Sequence, residues 1–191
     1  MNQHSHASSH GNIIVLSGPS GVGKGTLCQL LRKRQKNITI SISATSRQPR
    51  PGEEDGVHYY FLSREDFMAK AKTGGMLEWA EYNGNFYGTP KEPVDVERAK
   101  GNHVLLEIDV QGALQVKAAD PNACLIFIEP PSLDELRRRL ETRNQDAPEV
   151  IERRMVISTQ ELTQKDQFDH QVTNQELEAC YRTIEATLKT L

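Results

Sequence analysis

One segment limits what this chain can fold into more than any other. It is Gly18-Pro-Ser-Gly-Val-Gly-Lys-Gly25, set between an apolar run, Asn12-Ile-Ile-Val-Leu-Ser17, and the stretch Thr26–Lys36, where Leu27, Leu30 and Leu31 recur at helical spacing. A short continuous apolar run closed by glycine and proline suits a central buried strand. Glycines then let the backbone wrap so that successive N–H groups point inward at an anion. The helix that follows adds its positive N-terminal end, and Lys24 reaches the outer phosphates. The pattern GxxxxGK therefore sits in the strand–turn–helix setting that a phosphate-binding loop requires. Its candidate contacts are Gly18, Pro19, Ser20, Gly21, Val22, Gly23, Lys24, Gly25 and Thr26. One position departs from the usual pattern. The Ser or Thr after the lysine, whose hydroxyl normally touches magnesium, is Gly25 here, with Thr26 one place later.

Downstream the pattern alternates. A strand-like piece, Ile38–Ile42, precedes a loop rich in Pro, Gly and Arg from Thr45 to Gly56. Between about Val57 and Tyr87 lie short aromatic, β-prone pieces at His58–Leu62, Leu77–Tyr82 and Phe86–Tyr87, with one helical stretch, Arg64–Lys72, among them. This reads as a small β-rich insertion. The rhythm then resumes with a helix near Glu92–Lys100, the strand His103–Ile108 and a helix near Gln111–Ala119. After these come the strand Cys124–Ile128, a helix over Leu133–Thr142 and a polar loop, Asn144–Ala147. A helix near Pro148–Gln164, the strand His170–Thr173 and a helix over Gln175–Leu188 complete the order. Strands alternating with helices predict an α/β fold, a parallel sheet covered on both faces.

Composition removes several function classes. With 191 residues one compact domain is expected. Twenty-three basic against 26 acidic residues give a net charge of −3, which argues against a whole-surface nucleic-acid binder and makes any phosphate site local. No apolar run approaches the roughly 18 residues of a membrane span. Residues 1–11 are polar and hold three of the six histidines, without the basic start and apolar stretch of a secretory signal. They are expected to form a solvated, disordered tail. Three widely spaced cysteines, Cys28, Cys124 and Cys180, make no CxxC pair. Buried or half-buried thiols in a reducing cytoplasm are the plain reading.

Asp109 ends the run Val104-Leu-Leu-Glu-Ile-Asp109. An acid at the carboxyl end of a buried strand, beside a phosphate loop, is placed to orient magnesium or its waters. It can equally cap the helix that starts near Gln111, and the two roles are compatible. Glu107, two residues earlier, shares its sheet face.

The segment Ser43-Ala-Thr-Ser-Arg47-Gln-Pro-Arg50-Pro-Gly-Glu53 resembles the guanylate kinase signature. The likeness continues through Tyr59, Leu77-Glu-Trp-Ala80, Gly84-Asn-Phe-Tyr-Gly-Thr89 and Ile108-Asp-Val-Gln-Gly112. With the phosphate loop, these pieces span nearly all of residues 12–190 in order. The resemblance implies a P-loop NTPase-type domain over residues 12–191, with a GMP-binding insertion at about 44–90 and a mobile lid at about 139–154. It implies in-line transfer of a phosphate from ATP to GMP, giving ADP and GDP, without a covalent enzyme intermediate. Magnesium would arrive with ATP, held mainly by phosphates and waters, with Thr26 and Asp109 as candidate protein contacts.

On the same resemblance Arg47, Arg50, Tyr59 and Tyr87 hold the GMP phosphate, and Glu53 and Asp109 belong to the GMP-binding set. A guanidinium fork suits a phosphate monoester, and phenols add donors without charge. Glu78 matches the carboxylate that accepts the N1–H and N2–H of guanine, and Ser43 and Thr89 match hydroxyl contacts. Adenine would instead face Glu78 with a lone pair. Trp79, on the other side of its strand, is expected to pack into a core. Arg139, Arg143 and Arg154 match lid arginines that converge on the transferring phosphate, alongside Lys24, Arg47 and Asp109 in the catalytic set. Arg143 and Arg154 are expected to stand away from Lys24 until ligands bind. Asn174 matches a position near the adenine of ATP. Two other readings compete: an adenylate kinase, which also carries a Gly-Lys-Gly-Thr run, and a non-catalytic module that binds phosphopeptides through the GMP pocket.

Overall fold

The computed structural model describes residues 10–143 and 147–191. Its centre is β1 (Ile13–Ser17), every residue of which is buried. β1 leads through the glycine loop into α1 (Lys24–Arg34) and then β2 (Ile38–Ile40). Later come α3 (Lys91–Ala99), β7 (His103–Glu107), α4 (Val110–Ala119), β8 (Cys124–Glu129), α5 (Leu133–Arg143), α6 (Pro148–Leu162), β9 (His170–Thr173) and α7 (Leu177–Leu188). The five core strands lie in the order β2-β7-β1-β8-β9, and every pair is parallel. The loop strand is therefore the middle one.

The strands read as continuous apolar runs because both faces are covered. Ile14, Leu16, Leu105, Ile126 and Ile128 pack with Leu27, Leu31, Leu136 and Ile184 on one face. Ile13, Val15, Val104, Leu106, Leu125 and Phe127 pack with Val94, Ala113 and Val116 on the other. Alternate residues of one strand thus serve two cores.

The insertion forms its own sheet. β3 (Ala44–Thr45), β4 (Tyr60–Phe61), β5 (Met76–Tyr82) and β6 (Asn85–Pro90) lie in the order β4-β3-β6-β5, with α2 (Arg64–Lys72) against them. Phe67 of α2 is fully buried among Ala44, Met76 and Phe86. Trp79 joins the same cluster, as its strand parity predicts. Ser63 caps α2 by accepting the Asp66 N–H. The two-residue turn Asn83-Gly84 between β5 and β6 has positive φ at both positions, the conformation that Asn-Gly adopts most readily.

Two expectations change. Thr45 is not in a loop but in β3, where its hydroxyl donates to the Phe86 carbonyl at 2.9 Å. Gly11 is buried, donates to Arg98 O and accepts from Arg98 Nε, so the ordered chain starts before residue 12. The expectation for the rest of the tail falls on residues 1–9, outside the described residues.

Candidate active site

The loop from Gly18 to Gly23 closes over the end of β1. Gly18 has φ of 136°, and a Cβ there would come within 2.3 Å of the Ile128 carbonyl oxygen. Gly23 has φ of 101°, and a Cβ would meet Asn174 Nδ2 at 2.7 Å. Both positions need left-handed backbone and close approach, which only glycine supplies without strain. Lys24 opens α1 and folds back, donating to the carbonyls of Gly18 and Pro19 at 2.5 and 3.2 Å. Burial pulls its pKa below the usual lysine value, while Glu161, Glu107, Cys28 and Asp109 oppose that pull. An ammonium that has shed its water in this way is ready to take anionic oxygens in place of neutral carbonyls.

Three expected residues meet this loop from the second half of the chain. Asn174, buried after β9, donates from Nδ2 to the Val22 carbonyl at 2.8 Å. Arg139 donates to Val22 O at 3.4 Å, Asn174 O at 3.0 Å and Glu135 Oε1 at 2.8 Å. Arg154 donates to the Ser20 hydroxyl at 2.7 Å. Arg154, expected to stand away from Lys24, thus lies on Ser20 of the same loop. Arg143 ends α5, and its side chain lies outside what the structure describes.

Acids share a cavity with the loop. Its volume is about 480 Å³, and its lining includes Gly18, Ser20 and Lys24 together with Glu107, Asp109 and Glu161. Asp109 caps α4, with Oδ1 accepting the Gly112 N–H at 2.7 Å. A side chain at Gly25 would meet both Glu107 carboxylate oxygens at 3.5 Å, an ordinary contact distance. Gly25 therefore lies directly against the cavity acid, while Thr26 lies exposed on the first turn of α1. Among the described residues no three His, Cys, Asp or Glu side chains gather as a metal cage. The oxygen donors present suit magnesium held by phosphates and water, with carboxylates around it, and do not suit a bare-metal site.

Next to this cavity lies a second, of about 380 Å³, sharing with it Ser43, Tyr59, Glu107, Ile108 and Asp109. Glu78, Ala80 and Tyr82, alternate residues of β5, line it together with Tyr87 and Gly88. Glu78 is buried and accepts the Thr89 hydroxyl at 2.7 Å, the two being register partners across β5 and β6. Burial, with a smaller push from Asp109, raises the Glu78 carboxyl to about 7 against the Thr89 bond.

In the loop after β3, Arg47 and Glu53 form a two-bond fork at 2.7 and 2.9 Å, and Glu53 also accepts the Arg50 N–H at 2.7 Å. The Arg47 bond, more than any other cause, holds the Glu53 carboxyl down at about 2. The Arg47 guanidinium lies 5.2 Å from the Tyr59 ring centre, and Tyr59 meets Tyr87 edge-on at 6.3 Å. Arg50 is exposed.

The profile described as guanylate kinase matches residues 10–191, almost the whole chain. The chain belongs to the guanylate kinase family. Among its relatives, the guanylate kinase of Gloeobacter violaceus is 53% identical over 176 residues, covering 92% of this chain and 86% of that one. That of Desulfitobacterium hafniense is 51% identical over 168 residues, covering 88% and 84%. The crystal structure of guanylate kinase from Anaplasma phagocytophilum superposes with a TM-score of 0.73 at 35% identity, covering 95% and 86%. A gluconokinase from Sinorhizobium meliloti, 14% identical with a TM-score of 0.51, shares the fold alone.

The guanylate kinase motifs do not single out every residue that shapes the cleft. A Cβ at Gly112 would lie 2.9 Å from Glu78 Oε2 and 3.3 Å from Asp109 Oδ1, so the absent side chain makes room for both acids. Gly112 closes the Ile108–Gly112 motif, and only the fold reveals that it packs against β5. Glu161 enters the phosphate cavity from the last turn of α6, where sequence offers only another surface-type acid on a helix.

Proposed function

We propose that this guanylate kinase works through the two joined cavities, the glycine loop taking ATP and the insertion taking GMP. The reaction is the family's: the terminal phosphate of ATP passes to GMP, giving ADP and GDP. The observation that carries the assignment of halves is the buried Glu78–Thr89 pair on the wall of a cavity continuous with Lys24.

Each residue has a defined task. Loop N–H groups and Lys24 bind the ATP phosphates. Glu78 accepts the paired donors of guanine, and Thr89 and Ser43 supply hydroxyls. Arg47, Arg50, Tyr59 and Tyr87 hold the GMP phosphate, with Glu53 fixing Arg47 in place from behind. A carboxylate does not itself contact an anion, so Glu53 acts through that guanidinium. Arg139, Arg143 and Arg154 neutralise the phosphate in flight, and Asn174 braces the loop at Val22. Magnesium, bound with ATP, would supply further charge neutralisation, with Asp109 and Glu107 facing its waters and Thr26 contributing little. Positioning and charge provide most of the rate in such a transfer.

The insertion at about 44–90 and the lid at about 139–154, of which residues 144–146 lie outside the described residues, are the parts expected to move to exclude water. The setting is cytoplasmic, supported by three free buried thiols, and no partner beyond ATP and GMP is needed. No helix among the described residues is long and apolar enough to cross a membrane.

The test is Glu78→Gln in a coupled ADP-release assay. The KM for GMP should rise more than about tenfold, as expected for losing a charged hydrogen-bond partner, with the KM for ATP unchanged. Unaltered GMP kinetics would remove Glu78 from the site.

A further inference from the structure

α6 carries Arg154, Ser158 and Glu161 at intervals of four and three, so they form one stripe along the helix. At one end of the stripe, Arg154 holds Ser20 of the loop. Ser158 is fully buried, and its hydroxyl has no hydrogen-bond partner within the protein. At the other end Glu161 lines the phosphate cavity beside Lys24, Gly18 and Ser20. It is the foremost of the negative charges that act on Lys24, and burial raises its carboxyl above the usual range.

A carboxylate in a phosphate-binding cavity is costly for binding an anion, since like charges repel most where water is scarce. The cost is offset by Lys24, whose ammonium donates two bonds to loop carbonyls and lines the same cavity as Glu161. Once Lys24 turns to the outer phosphates, Glu161 loses that partner. It then faces either a bare polyphosphate, which repels it, or one whose charge a divalent cation has reduced and whose bound waters donate to a carboxylate. We propose that Glu161 makes the loop selective for the magnesium complex of the nucleotide over the metal-free anion. The proposal rests on reading the loop as the ATP site. It assigns to α6 a discriminating role beyond delivering Arg154.

The experiment is calorimetric titration of the intact protein with a non-hydrolysable ATP analogue, once with excess magnesium and once with a chelator. Wild type, Glu161→Gln and Glu161→Asp are compared, with Lys24→Ala as the control for the site. Wild type should prefer the magnesium complex by more than about tenfold, the size of one charge-assisted bond. Glu161→Gln should bring the two affinities to within about threefold, chiefly by tightening the metal-free form, and Glu161→Asp should keep the preference. A Glu161→Gln protein that retains the wild-type ratio overturns the proposal, even if its melting temperature has changed. If Lys24→Ala leaves binding intact, the reading of the loop fails instead, and with it the basis of the proposal.

Discussion

Replacing Glu78 with glutamine separates two effects that one carboxyl combines. The carboxyl stands near 7 where 4.5 is ordinary, because it is buried behind β5 and β6 with one hydroxyl donor for company. At roughly 1.36 kcal/mol per pH unit, holding it ionised in the empty protein costs about 3 kcal/mol. The folded state therefore keeps a proton between about 4.5 and about 7 that the unfolded chain has released. Stability falls as pH rises through that window and is restored below it. Glutamine can still accept from Thr89 and carries no charge. The ligand-free Glu78→Gln protein should match wild type near pH 4.5 and be more stable by up to about 3 kcal/mol at pH 8. With Glu78 proposed as the guanine acceptor, GMP should reverse the order, because the N1–H and N2–H of guanine need the ionised carboxylate. Relative to the glutamine protein at the same pH, wild-type affinity for GMP should weaken by about tenfold for each unit below pH 7. Urea unfolding at a series of pH values, with and without GMP, reads both. Parallel stability curves for the two proteins from pH 4.5 to 8 would refute the burial argument.

Three further outcomes follow from the site geometry. Gly112→Ala places a methyl 2.9 Å from Glu78 Oε2, so the KM for GMP should rise about tenfold or more while ATP analogue binding stays the same; steady-state kinetics and titration check this. Gly25→Ser enters space with only ordinary contacts to Glu107 and replaces a helical glycine, so it should stabilise by about 0.5 kcal/mol in thermal unfolding and lower the magnesium concentration needed for half-maximal rate. Glu53→Gln removes the fork that holds Arg47 and should raise the KM for GMP several-fold at pH 7, with the difference from wild type persisting as pH falls until about 2, below which Glu53 is protonated. Binding of GMP by fluorescence over the accessible pH range follows that trend.

Much of the core was legible because local and long-range signals agree there. β1 and β8 are apolar up to their last residues, Ser17 and Glu129, as strands between two helical layers must be, and the glycine loop is recognisable on its own. α2 and β9 fall on the predicted bounds, 64–72 and 170–173. β3 was not legible. Two residues, Ala44 and Thr45, become a strand because β4 and, some forty positions later, β6 pair with them, and the Thr45 and Ser46 hydroxyls bind Phe86 on its backbone. No local propensity carries that information. The same holds in the cleft. Lys24, Glu78 and Asp109 sit in motifs, and the fold brings them to the two joined cavities, while Arg47 packs beside Tyr59, which lines both. The approach of Glu161 to Lys24 depends on where α6 crosses the loop, and the need for glycine at 112 depends on how α4 packs against β5. Asn174, expected near adenine, turns its amide to the loop backbone, an orientation set by the close contact with Gly23.

The central claim is that one cleft joins a phosphate loop to a guanine-selecting pocket. Coupled ADP release from ATP, measured with GMP, AMP, CMP and UMP in turn, tests it most directly. Turnover with GMP should exceed that with each other monophosphate by about a hundredfold or more in kcat/KM, since the buried carboxylate rejects bases that lack the paired donors. Equal turnover with AMP, or none with any monophosphate, would contradict it.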